Sequence, residues 1–373
     1  MDPLIENVLC NLGVITISHG DPTLREELEN VHFATCLLSD ILSSSMSSIL
    51  NIPGDLSRYH GSFGPSQLIV RNMRADNWCI HTVERITRGF TYSLQAYAYA
   101  LGTCRTKQEH KGCRIGYCFA IQADKASEMR HLDCSSAACD ILEAPIDSIA
   151  EALQDGVIPL MEVRFKDRKN TDPYLVVKRA DGKTPYIAIS HVWADGLGTS
   201  EANCIPVCQL RGLLHPLYQI QDDINVMDKG SSTGIAPIMP FWLDVLCISV
   251  DIRYQNLRDF SIRKMHDIYQ QAHCVLALDL DFARMTRRNT PPYEIMTKVV
   301  MSGWLTRLWT FQEGVLPQSL YLGVNDGCLN LDAEYQNLFL GDQEELNMPG
   351  FVADCLDYGS SSLLFESCPR KLA

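Results

Sequence analysis

The sequence contains no apolar run of about 18 residues or more, the shortest stretch that reads as a membrane-spanning helix, so no such helix is expected. A basic leader is also missing: Met1 to Val14 carries Asp2 and Glu6 and neither lysine nor arginine. No secretory signal is therefore expected. Positive charge is in short supply, with 32 Lys and Arg against 45 Asp and Glu and a net charge of -13. A general nucleic-acid binder needs a basic surface to displace counterions from phosphate, so no nucleic-acid partner is expected. The local basic series Arg253, Arg258, Arg263 and Lys264 reads as a solvated helix face. Cysteine is plentiful at 15 residues. An odd count without a leader excludes a disulfide scaffold and points to a reducing, cytoplasmic setting in which most thiols act as small buried hydrophobes.

The 373 residues are 46% apolar and 21% charged, enough for a real core and for two domains, or one domain with a large extension. Apolar residues recur at helical spacing over Leu24–Leu42, until Ser43–Ser48 and then Pro53-Gly54 break the pattern. Residues 80–101 read as one helix and 102–145 as a loop-dominated insert. Ile146–Leu153 reads as a short helix and Ile158–Phe165 as a strand. These parts make a mainly helical, Cys/His-containing extension over residues 1–170.

From about 172 the pattern changes. Tyr174–Lys178 and Tyr186–Ser190 are β-rich and flank the turn Ala180-Asp-Gly-Lys183, which predicts a hairpin. Gln209–Ile220 reads as a helix interrupted by Pro216, and 230–240 as a loop. Phe241–Ser249 and Cys274–Leu280 are buried-strand runs, and Phe260–His273, Tyr293–Met301 and Leu305–Val315 read as helices. Strands alternating with helices predict an α/β domain over 172–325, with a parallel sheet flanked by helices. The tail 326–373 follows.

In such sheets ligands sit beyond the carboxyl ends of the strands. Those ends lead into loops bearing His191, Trp193, Asp195, Asp251 and Asp281, and Gly196 and Gly198 allow a sharp turn and close approach of a ligand. Ser190, His191, Trp193, Asp195, Asp244 and Asp251 are accordingly the candidate ligand-binding residues. Ser190, His191 and Asp195 do not read as a catalytic triad, because neighbouring strand residues point to opposite faces.

A second cluster lies upstream. His110-x2-Cys113-x4-Cys118 is followed by His131-x2-Cys134-x4-Cys139. Zinc takes four tetrahedral ligands, often as two short-spaced pairs separated by a loop. Cys113, Cys118, Cys134 and Cys139 suit one structural zinc, with His110 and His131 as alternates. The rival reading is a set of reduced thiols with two surface histidines.

Four blocks in the second half occur in order: Tyr186-Ile-Ala-Ile-Ser190-His191-Val-Trp193, Trp242-Leu-Asp244-Val-Leu-Cys247-Ile248, Ile262-Arg-Lys-Met265-His-Asp-Ile-Tyr269-Gln-Gln-Ala272, and Trp304-Leu-Thr-Arg307-Leu-Trp309-Thr310-Phe-Gln312-Glu313. Together they closely resemble the fungal heterokaryon incompatibility (HET) domain family. The segment Ile205-Pro-Val-Cys208-Gln209-Leu210 looks like its basidiomycete branch. Ser249 and Phe311 depart from the residues common in the family and leave the polar positions untouched. Family members often continue well past the last block, so the tail 326–373 resembles a short or truncated form.

The resemblance implies a signalling module of nonself recognition that leads to growth arrest or regulated cell death, through self-association or protein partners. The HET domain in turn resembles TIR domains, whose enzymatic members use a glutamate after a Trp-Cys motif to cleave the nicotinamide–ribose bond of NAD. Trp309-Thr-Phe-Gln-Glu313 has the same Trp-to-Glu spacing, which implies Glu313 as the candidate catalytic residue and NAD as a substrate. Glycoside-type cleavage passes through an oxocarbenium-like state that a carboxylate can stabilise. Equally, Trp304, Arg307, Trp309 and Glu313 fall at spacings that can share one helix face, where Arg307 and Glu313 would form a structural ion pair.

Overall fold

The computed structural model describes residues 29–38, 67–102, 110–121, 129–132, 134, 139–166, 172–199, 201–227, 238–307 and 310–338. Ser43–Ser48, Pro53-Gly54, most of the 230–240 loop, Trp309 and the tail beyond 338 lie outside them. The chain divides into two compact units near residue 120.

The described part of the first unit is largely helical, with helices at 29–38, Gln67–Ala75, Ile80–Gly89 and Tyr92–Leu101. Ile69, Met73, Val83, Ile86, Tyr92 and Ala98 are buried at helical spacing. The single helix expected over 80–101 is two. Phe90 is extended, and Thr91 caps the second helix by accepting a hydrogen bond from Leu94 N. The amide of the buried Gln95 donates back to Phe90 O at 2.8 Å, holding the corner.

The second unit is an α/β structure. A short strand β1 (Ile141–Glu143) precedes the helix Ile146–Gln154 and the strands β2 (Pro159–Phe165), β3 (Pro173–Arg179) and β4 (Ile187–His191). Strand β5 (Cys204–Pro206) pairs with β1 in a two-stranded sheet and leads into the helix Val207–Met227. Strands β6 (Phe241–Leu243), β7 (Cys274–Leu278), β8 (Leu320–Val324) and β9 (Gly327–Asn330) complete a seven-stranded sheet of order β3-β2-β6-β4-β7-β8-β9. The four strands β6, β4, β7 and β8 are mutually parallel, while β2 and β9 run against them and the edge strand β3, antiparallel to β2, points with them. The expected parallel neighbours β6, β4 and β7 are adjacent, with Ala188 level with both Trp242 and Val275.

Five expectations need correction. The hairpin across residues 180–183 does not form. Its turn is present, with Asp181 Oδ1 accepting from Lys183 N at 2.9 Å and from Thr184 N at 2.6 Å, and Gly182 at φ 74°. The strands it joins part company because every residue of β4 is buried, which sends β4 to the sheet centre, whereas β3 is buried only in part and takes the edge beside β2. A strand buried on both faces reads as a continuous apolar run and belongs inside a parallel sheet.

The strand expected over 241–249 stops at Leu243, where Asp244 accepts from Val245 N and the chain turns into the helical segment Asp244–Cys247. The helix expected over 260–273 is instead two, Gln255–Arg263 and Met265–Gln271, broken where Lys264 adopts ψ -2°. The helix expected over 305–315 is a 3₁₀ turn Trp304–Thr306, an extended Arg307 and a helix Thr310–Val315. Arg307 is thereby free of the helix ladder and turns back toward Glu313. Pro216, expected to interrupt its helix, sits buried within the continuous helix Val207–Met227. Its loss of one helical hydrogen bond is offset by the packing of Leu213, Leu217 and Ile220 in the core. In the basic series 253–264, Arg253 pairs with Asp251 and Lys264 with Asp267.

Leu276, at the centre of β7, is fully buried, and Ile252 is 85% exposed. Leu276→Ala is expected to lower the unfolding free energy by about 2–5 kcal/mol and Ile252→Ala by less than about 0.5 kcal/mol, as read from urea denaturation midpoints.

Candidate functional site

Strand β4 ends in two polar residues whose side chains leave opposite faces of the sheet. Ser190 Oγ donates to Glu313 Oε2 at 2.5 Å and accepts from Trp304 Nε1 at 2.7 Å and from Arg307 Nη1 at 3.3 Å. Arg307 also donates to Glu313 through Nη2 at 3.0 Å and Nη1 at 3.3 Å, and Tyr269 adds a long hydrogen bond of 3.4 Å. Glu313 is 1% exposed, and Ser190 and Trp304 are equally enclosed. Burial first, and then the charge of Glu313, push the Tyr269 phenol well above its ordinary value. The carboxylate is thus held by three partners in the interior.

His191 turns the other way. Its Nε2 lies 2.9 Å from Asp244 Oδ1, and its ring stacks on Trp193 at 5.6 Å. Its Nδ1 is buried and has no hydrogen-bond partner among the described residues. Burial raises the pKa of Asp244, but the charge and hydrogen bond of His191 lower it by more, assisted by the charge of Arg307. The carboxyl therefore sits below its ordinary value.

The loop after β4 is bound at both ends. Gly196 and Gly198 adopt positive φ, 73° and 63°. Asp195 Oδ2 accepts from Leu280 N at 2.7 Å, tying the loop to the end of β7. Gln209 accepts from Gly198 N at 2.8 Å and donates to Gly196 O at 2.7 Å and to Arg130 O. Between these parts lies a cavity of about 470 Å³ at the carboxyl ends of β4, β7 and β8, lined by His191, Asp195, Asp279 and Gly323 among others. Arg130, His131 and Leu132 form one wall, and Gln209 and His215 of the long helix form another. This is where a parallel α/β sheet offers a ligand site.

The predicted ligand residues therefore separate. His191 and Asp195 line the cavity. Trp193 and Asp244 stand behind them as supports of His191. Ser190 belongs to the Glu313 network, and neither it nor Glu313 is among the lining residues. Asp251 is not among them either; it caps the turn Ile252–Tyr254 and pairs with Arg253 at 2.6 Å. The walls at Arg130, Gln209 and His215 carried no signal in the sequence, since Arg130 comes from a loop and Gln209 and His215 from a helix, all outside the strand ends.

The metal candidates fall into two sets rather than one. Cys113, Cys118 and His110 meet Cys79, whereas Cys134, Cys139 and His131 meet Cys208; within each set the ligand atoms all lie within 4.8 Å of one another. Each set can hold a metal ion. Instead of the single set expected from Cys113, Cys118, Cys134 and Cys139, each H-x2-C-x4-C loop closes on a further cysteine of its own unit, Cys79 or Cys208. All eight residues lie in described parts of the chain, and the six cysteines are free of disulfides.

These features define an α/β protein with a ligand-sized cavity at the switch of its sheet. Residues 186–281 match the family model "Heterokaryon incompatibility protein (HET)". The stretch from β4 through β7 into the helix Leu280–Met285 is thus a HET domain, and a HET domain implies a role in heterokaryon incompatibility. No curated protein and no solved structure matches the chain.

Two outcomes are expected. Glu313→Ala or Arg307→Ala alone should destabilise by about 3–5 kcal/mol by leaving its buried partner uncompensated, and the double variant should cost less than the sum; a denaturant double-mutant cycle measures this. The Asp244 carboxyl has a lowered native pKa, so its contribution to stability is complete above the ordinary value of about 3.9 and is lost as the pH falls through the native value. Asp244→Asn should therefore flatten the acid limb of stability against pH below about 4, measured as urea midpoints across the range.

Proposed function

We propose that the chain is a cytoplasmic signalling module of fungal nonself recognition, whose TIR-like HET part, with residues 172–325 as its core, drives growth arrest or regulated cell death. It acts by assembling with itself or with protein partners rather than by catalysis. The observation that carries the non-enzymatic reading is the enclosure of Glu313. A carboxylate that stabilises an oxocarbenium-like state must reach the sugar carbon, and Glu313 is instead held by Ser190, Arg307 and Tyr269 away from the cavity. In this reading the cavity, with His191 and Asp195 in its lining, is where a small ligand would bias assembly. Zinc, in a structural role, is the metal assigned to the Cys/His sets, since three sulfurs and one imidazole suit it.

Overexpression in a fungal host tests the proposal against the NAD-cleaving alternative. The expected result is growth arrest without depletion of NAD, no nicotinamide release by the pure protein at high concentration, and retained toxicity in Glu313→Gln. Nicotinamide release that disappears in a folded Glu313→Gln would establish the alternative instead.

A further inference from the structure

We infer that the chain carries two zinc ions, one in each compact unit, and that the second is a clasp that sets the wall of the cavity. The inference rests on zinc as the ion for these residues and adds its number, its ligands and its consequence.

Both sets have the same construction. Three ligands come from an H-x2-C-x4-C loop, and the fourth is a cysteine at the start of a helix. Cys79 immediately precedes the helix Ile80–Gly89, and Cys208 lies in the first turn of Val207–Met227. Such positions favour the thiolate that a metal requires.

The spacings are those of a tetrahedron around one ion. With Zn–S of about 2.3 Å and Zn–N of about 2.0–2.1 Å, tetrahedral angles place sulfurs about 3.8 Å apart and sulfur about 3.6 Å from nitrogen. In the first set Cys79 and Cys118 are 3.7 Å apart, Cys113 and Cys118 3.6 Å, and His110 Nδ1 lies 3.4 Å and 3.7 Å from Cys113 and Cys118. In the second, His131 Nδ1 lies 3.5 Å from Cys134 and 3.7 Å from Cys208. Disulfide sulfurs would be about 2.05 Å apart, so these thiols are unbonded. Thiols are weak hydrogen-bonding groups and gain little from converging in threes around a histidine, twice, by one plan. In each set the histidine presents Nδ1, and the backbone N–H of Leu132 donates to Cys208 Sγ at 3.2 Å. Outer hydrogen bonds of this kind orient metal ligands.

The second set borders the cavity. His131 is both a ligand and a lining residue, between lining residues Arg130 and Leu132. Beside Cys208, Gln209 bonds Arg130 O, Gly196 O and Gly198 N. Leu132 rests on Gly212, where an added Cβ would stand 3.0 Å from its Cδ1. An ion joining His131 to Cys208 thereby fixes the 130–132 wall and the loop that carries Asp195 together.

Elemental analysis of the full chain, purified without chelator, tests this. About two zinc ions per chain are expected, falling to about one in Cys208→Ser and about one in Cys79→Ser. Hydrogen exchange over residues 130–132 and 196–198 should quicken on the order of tenfold in Cys208→Ser, while exchange over 110–118 stays unchanged. If a variant fails to fold, cobalt titration of the zinc-stripped wild-type chain should saturate at two equivalents with thiolate-to-cobalt absorption. One ion or none in the wild type, or two retained in Cys208→Ser, would overturn the two-site assignment. Loss of one ion in Cys208→Ser with unchanged exchange at 130–132 would overturn the clasp. None of these readouts depends on whether the chain signals by assembly or cleaves NAD.

Discussion

Strand β4 is buried along its whole length, and its last two residues are polar. Their side chains must be satisfied without water, because an unpaired polar group in the interior carries its full desolvation penalty. Since the two side chains leave opposite faces, two separate polar systems are required. Below one face, Ser190 meets Glu313, Arg307 and Trp304; below the other, His191 meets Asp244. Much of the second unit is arranged around this requirement. The break at Arg307 and the early end of β6 at Leu243 bring a polar partner to the end of β4, and the placement of Met265–Gln271 sets Tyr269 against Glu313.

The same constraint sets the Glu313 network apart from the residues that line the cavity. Glu313 and Arg307 pair in the interior, and a buried ion pair tolerates the loss of neither partner. The cavity is lined instead by His191, Asp195, Asp279 and Arg130 among others, on loops whose backbone is tied by Asp195 and Gln209. A parallel sheet leaves its strand ends open to loops by construction, so the cavity is a consequence of the topology, and its walls come from segments far apart in the chain.

Much of the fold was legible. The run at 274–278 is apolar throughout and that at 187–191 is apolar as far as Ile189, and the strands β6, β4 and β7 came out as parallel neighbours because the alternation with helices permits little else. The turn at 180–183 was also legible as local chemistry, but its partners were not. A turn fixes where the chain reverses, while pairing is decided by which strand has two faces to bury. In the candidate site, His191 and Asp195 could be read from their position after a strand. Asp251 could not be told from them, since a carboxylate that caps a turn and one that faces a cavity look alike in sequence.

The sequence by itself determined the family of blocks, the α/β class, and the two repeated H-x2-C-x4-C loops, because each is a matter of spacing over a few residues. Only the tertiary structure decided that Glu313 is enclosed, that each loop meets one further cysteine, Cys79 or Cys208, and that Arg130 and Gln209 meet in the cavity wall. The physical reason is the same in each case. Local spacing governs which side chains share a face of one element, whereas burial and coordination are settled by which elements the whole core brings together.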